Sequence, residues 1–153
     1  MTGSVADRLS AMGITLPSPS PLALYRPAVR TGNLVFVSGQ VAIRDGAVVH
    51  PGRAGEDVTT AEAAEAARVC AINALGAAHA LLGSLEGVRV VRAVGYVASA
   101  PAFVDQPAVV NGASELLRDV LGEERGVGSR LALGVAALPV NSPVEFELIL
   151  EVD

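Results

Sequence analysis

The stretch from Ala61 to Leu82 constrains this chain more than any other. It is almost entirely small and apolar, interrupted only by Glu62, Glu65, Arg68, Asn73 and His79 among its longer residues. Those breaks disqualify it as a membrane span. Thr59 followed three residues later by Glu62 is a capping-box signature, each side chain satisfying the other's backbone N–H at a helix start. Gly83 then closes the helix, because glycine accepts the left-handed conformation that ends one. Ala63, Ala67, Cys70, Ala74, Ala77 and Leu81 recur every three to four residues and form the predicted buried face. Side chains this small let a helix lie close to a sheet.

The segments around it read as strands and a second helix. Leu34–Ser38 is apolar and β-branched and stops at Gly39, which predicts a strand. Residues 41–49 predict a hairpin turning at Asp45-Gly46. Residues 88–99 are rich in valine and predict another strand. Asp105 is placed to cap a second helix, with Pro107 tolerated in its first turn. Val109, Ala113, Leu116, Leu117 and Val120 give that helix its apolar stripe, and Gly122 ends it. Residues 126–129 read as a flexible loop and residues 130–138 as a strand. Residues 144–152 alternate, with Val144, Phe146, Leu148, Leu150 and Val152 on one face and Glu145, Glu147, Ile149 and Glu151 on the other. The N-terminal residues 4–12 form a short helical pattern ended by Gly13, followed by a stiff connector at Leu16-Pro-Ser-Pro-Ser-Pro21.

Hairpin, helix, strand, helix, strand, strand is the order that results. Right-handed crossovers then give one α/β (α+β) domain, a single mixed sheet with both helices on one face. The opposite face needs cover. Composition points the same way: 51% of the 153 residues are hydrophobic while only 3% are aromatic. Excess apolar surface on so small a domain predicts a subunit interface.

Several functions are disfavoured. The net charge is −5 and no basic run exists, so a nucleic-acid partner is not expected. The single cysteine, Cys70, permits no disulfide within the chain, and no Cys/His cluster has metal spacing. No segment reads as a signal peptide, so a cytoplasmic location is expected, with no membrane partner. The phosphate-binding and hydrolase motifs are missing: no P-loop, GxGxxG, HExxH, GxSxG or CxxC. His50 and His79 read as structural.

What remains is polar residues at strand ends. Arg130 opens an apolar strand after a glycine-rich loop, where a guanidinium can hold a carboxylate through two parallel hydrogen bonds. A surface ion pair with Glu123 or Glu124 is its ordinary alternative. Glu145, two residues past Pro143, can act at a pocket rim as a proton carrier. Its ordinary alternative is an exposed strand carboxylate, the reading given to Glu147 and Glu151. Ser38 and Gly39 end a buried strand with a hydroxyl and a flexible residue. Asn111 offers an amide on the second helix.

These residues fall in a pattern. Tyr25 within Leu24-Tyr25-Arg-Pro-Ala-Val is followed by Gly32-Asn-Leu-Val-Phe-Val-Ser-Gly-Gln40. Ala71-Ile-Asn-Ala-Leu75, Val110-Asn111, Ser129-Arg130, Leu138-Pro139 and Val144-Glu145 come after in order. In this the chain resembles the Rid proteins, reactive intermediate deaminases of the YjgF type, also called endoribonuclease L-PSP-like. The likeness runs from about Tyr25 to the C-terminus. It implies a Rid-type domain over residues 21–153, with residues 1–20 as an N-terminal helical extension and proline-rich connector.

The resemblance implies a fold like the small, bacillary-type chorismate mutase. Three subunits would form a barrel with helices outside and a ligand cleft at each interface. It implies hydrolysis of enamines and imines to 2-oxo acids and ammonia, with no metal or organic cofactor. Arg130 matches the arginine that binds the substrate carboxylate, and Glu145 the acid that positions water. Tyr25, Ser38, Gly39 and Asn111 match the substrate-binding residues. Departures from the family pattern include Ala132 where a cysteine is usual, Gly128 where a proline is usual, and a longer stretch between Phe103 and Asn111. A non-catalytic homotrimer binding a small carboxylate-bearing metabolite is the alternative reading. So is a tautomerase or cyclase acting in the same cleft.

Overall fold

A computed structural model describes residues 3–153. Its long helix, α2 (Thr60–Leu82), begins at a complete capping box: the Thr59 hydroxyl accepts from the Glu62 N–H at 3.1 Å, and Glu62 accepts from the Thr59 N–H at 3.0 Å. Gly83 ends it at φ 78°. Ala63, Ala67, Cys70, Ala74 and Ala77 are all buried, as expected. Leu81 is not; it stands 44% exposed, and Leu82 takes the inward position in the last turn. The buried stripe is broader than the sequence spacing suggests, taking in Ala66, Ala71, Leu75 and Ala78 as well.

Five strands make one mixed sheet in the order β1 (Ala28–Thr31), β2 (Leu34–Val41), β7 (Val144–Val152), β5 (Val88–Ala98), β6 (Ser129–Val135). All neighbours are antiparallel except β5 and β6, which run parallel through the crossover helix α3 (Gln106–Leu121). The hairpin β3 (Ile43–Arg44) and β4 (Ala47–Val48) turns at Asp45-Gly46 and pairs with itself. The Asn73 amide on α2 ties it down, donating to the carbonyls of Val41 and Ile43.

The alternation along β7 decides where the core lies. Val144, Phe146, Leu148, Leu150 and Val152 are buried under α2 and α3, while Glu145, Glu147, Ile149 and Glu151 point to the other side. Both long helices cover the same face, and they contact each other along their length. The second face is open. Val29, Phe36 and Leu131 stand 48%, 43% and 47% exposed.

Some local expectations differ. Strand β1 goes unseen in the sequence because Pro27 and Arg30 interrupt its short apolar run. Asp105 occupies the cap position of α3, but its side chain makes no capping bond. The 126–129 loop is shorter and tighter than expected. A helical turn α4 (Glu123–Gly126) precedes it, and any side chain on Gly126 would meet the Arg118 Cα at 2.7 Å. One on Gly128 would meet the Val90 carbonyl oxygen at 2.6 Å. These glycines serve close packing rather than flexibility. Strand β6 ends at Val135, before the expected Leu138.

The N-terminal helix α1 (Val5–Ala11) packs on α3, burying Val5 and Leu9 in the common core, and Arg8 Nε donates to the Val120 carbonyl at 2.6 Å. Among the described residues no helix is long and apolar enough to cross a membrane.

Candidate active site

The register between β5 and β6 sets the direction of Arg130. It pairs with Ala93, which pairs in turn with Leu148 of β7. Leu148 is buried beneath the helices, so Arg130 shares that face. Its guanidinium lies along α3: Nη1 donates to Asn111 Oδ1 at 2.7 Å and to Ser114 Oγ at 3.2 Å, and Nη2 donates to the Pro107 carbonyl at 3.4 Å. Residues 107, 111 and 114 recur at helical spacing on one side of α3. Three neutral oxygens therefore aim the cation and leave its charge uncompensated. Among the described residues Arg130 forms no ion pair, with Glu123, Glu124 or any other carboxylate.

Glu145 lies on the opposite face. It pairs with Val41 of β2 and Tyr96 of β5, and points away from the helices. On the β2 side a bulge between Val37 and Gln40 interrupts the ladder at Ser38-Gly39. Gly39 faces the Glu145 carboxyl so closely that a Cβ there would collide with Oε1. Burial raises the pKa of Glu145, and the charge of Glu147 raises it further. Ser38 Oγ donates to the Arg26 carbonyl at 2.6 Å, and the Ser38 N–H to the Pro27 carbonyl at 2.9 Å. These bonds hold the 25–27 segment against β2, with Tyr25 42% exposed.

The expected site residues thus form two groups. Ser38, Gly39 and Glu145 come together on the open face, with Tyr25 on the adjoining segment. Arg130 and Asn111 come together at the β6–α3 edge of the helical face. A single chain does not bring Arg130 and Glu145 onto one side of the sheet.

Three further residues belong to these groups. Ser114 is the second side-chain oxygen on Arg130. Tyr96 donates to Glu147 Oε1 at 2.7 Å. The reading of Glu147 as an ordinary exposed carboxylate is therefore corrected: it is half-buried and hydrogen-bonded, whereas Glu151 pairs on the surface with Arg89 at 2.6 Å. The chain's two tyrosines are Tyr25 and Tyr96, a scarcity that marks Tyr96 in the sequence. His50 lies between Glu65 at 2.7 Å and Glu62 at 3.3 Å, a surface tie from the hairpin to α2. Cys70 is buried, its thiol donating to the Val144 carbonyl.

Residues 6–152 match the family model described as "YjgF/chorismate mutase-like, putative endoribonuclease". The chain belongs to the YjgF/chorismate mutase-like family. Among its relatives is Protein TCP17 of Trypanosoma cruzi, 39% identical over 99% of this chain and 96% of that protein. The crystal structure of Atu1372 from Agrobacterium tumefaciens, a protein of unknown function, is similar at 43% identity. It has a TM-score of 0.90 over 97% of this chain and 92% of that one. RidA from an Antarctic Psychrobacter is similar at 28% identity and a TM-score of 0.58, over 90% of this chain and 96% of RidA. Within the YjgF family, then, the backbone follows Atu1372 more closely than RidA.

Proposed function

We propose that this YjgF-family protein hydrolyses enamine or imine intermediates bearing a carboxylate, yielding a 2-oxo acid and ammonia, in clefts between the subunits of a homotrimer. The observation that carries the reading is the tethered, uncompensated Arg130: a cation held by three neutral oxygens is a ready carboxylate clamp.

The partition of the site supports assembly. Arg130 and Glu145 occupy opposite faces of one sheet, so a second copy must supply one of them to a shared cleft. The exposed apolar side chains Val29, Phe36 and Leu131 give the open face the cover that such a copy would meet.

In this mechanism Arg130 anchors the carboxylate and fixes the imine carbon. An iminium carbon is already electrophilic, so positioning supplies much of the catalysis. Glu145 takes a proton from water as the water oxygen bonds to that carbon, giving a carbinolamine. The carbon–nitrogen bond then breaks. Glu145 returns its proton to the departing nitrogen, and the hydroxyl proton passes to the released ammonia as the carbonyl forms, leaving ammonium and the Glu145 carboxylate. Its raised pKa suits a group that must both accept and donate.

The test is release of 2-oxo acid from enamines generated in solution from several amino acids. The wild type should accelerate release, and Arg130→Ala should lose at least about a hundredfold of that acceleration. An intact wild type that binds carboxylate ligands without accelerating release would instead support a metabolite-binding role.

A further inference from the structure

Beyond Arg130 and Glu145, the open face carries a polar arrangement that the proposed hydrolysis leaves unexplained. The pleat of β7 puts Glu145 and Glu147 on the same side, two residues and about 7 Å of strand apart. Tyr96 stands directly across from Glu145 on β5, yet its hydroxyl reaches diagonally to Glu147, donating to Oε1 at 2.7 Å. A lone surface glutamate would swing into water. This one is held in place beside Glu145.

We propose that Tyr96 and Glu147 form a positioning pair for Glu145, fixing a second carboxyl group beside it on the same face of β7. The role rests on the hydrolase reading above. Neither residue need touch substrate; both act through Glu145.

The surroundings leave few competing charges. From β2 the neighbours of Glu145 are Val41, its partner in the ladder, and Gly39, neither of which titrates. From β5 they are Tyr96 and, farther along, Arg92. Arg92 lines a shallow cleft of about 250 Å³ with Glu147, Phe36, Ser38 and Ile149. Among the described residues Arg92 makes no ion pair. From α2, behind the sheet, the buried Cys70 thiol feels the Glu145 charge, and burial, above all, pushes its pKa well up. Tyr96 also has a raised pKa, chiefly from its hydrogen bond to Glu147, so it stays a donor.

The consequence is a proton held on Glu145 to higher pH than burial alone would hold it. Like charge next to a carboxylate disfavours its ionisation. Removing the Glu147 charge leaves the burial contribution and should move the Glu145 titration part of the way back toward lower pH. In a hydrolase whose Glu145 must begin as carboxylate, the acid limb of kcat/KM moves the same way.

Two readouts test this. Carbon-13 NMR of glutamate carboxyls, with Glu145→Gln to assign the Glu145 signal, follows its titration without turnover. The pH profile of kcat/KM follows it through the reaction. Glu147→Gln and Tyr96→Phe should each lower the NMR titration point and the acid limb, and Glu147→Asp should restore most of the wild-type profile. A Glu145 titration unchanged in Glu147→Gln overturns the proposal. One lowered in Glu147→Gln but unchanged in Tyr96→Phe removes Tyr96 from it. A lowered titration in a protein without turnover would uphold the pairing while defeating the hydrolase reading.

Discussion

Gly39 has no side chain, and Glu145 uses the space. The backbone there is one any residue adopts, so the requirement is for room, not for conformational freedom. Gly39→Ala should therefore fold and assemble, but push the Glu145 carboxyl aside. A displacement of about 1 Å at a reacting group can cost on the order of a hundredfold. We expect kcat/KM to fall at least about tenfold with the thermal midpoint nearly unchanged. Wild-type activity in Gly39→Ala would mean that Glu145 is not held where the geometry puts it. Arg130 and Glu145 were legible as candidates because Arg130 opens an apolar strand and Glu145 lies just past Pro143 at the start of another. Their placement on opposite faces was not. It depends on the pairing of Arg130 with Ala93, which a 16-residue helix and its connections set. Tyr96 stayed hidden for the same reason, since its partner across the ladder is Glu145, far along the chain.

Helix α2 was legible almost to the residue, because its capping box and terminal glycine are local signals. Its contact with α3 was not. Gly112 faces α2 so closely that an added Cβ would lie 2.7 Å from the Ala64 carbonyl carbon and 3.1 Å from its Cα. Two opposing effects then decide the outcome of Gly112→Ala. Helix propensity favours alanine over glycine by about 1 kcal/mol. Overpacking against rigid backbone costs roughly 1–3 kcal/mol, and here the obstacle is main chain that cannot rotate away. The collision should win, and calorimetry should show a lower midpoint. A raised midpoint would mean that α2 and α3 separate freely. Helix α1 and strand β1 lie between these cases: the first shows its periodicity, while the second is too short and too polar to announce itself.

At the scale of the molecule, the sequence announced an apolar excess and the fold shows where it lies. The helices use one face of the sheet, and on the open face the chain by itself leaves Phe36, Val29 and Leu131 uncovered. The count of elements foretold this, since two long helices cover only one side. No local signal says how many copies close the other side, because closure depends on how the sheet twists and on shape across a symmetry axis.

For the proposed hydrolysis, a sheet that keeps its cation on one side and its acid on the other makes each chain, by itself, half a catalyst. Arg130→Ala and Glu145→Gln should each be inactive when pure. Mixed by co-expression in equal amounts, they should recover activity, because some clefts draw the intact arginine from one parent and the intact glutamate from the other. With one contribution from each of two neighbouring chains, about one cleft in four is whole, so recovery should plateau near a quarter of wild type. Purified hybrids that stay inactive would show that a single chain furnishes both groups. Dead parents with living offspring would show instead that activity is inherited by the assembly and not by the chain.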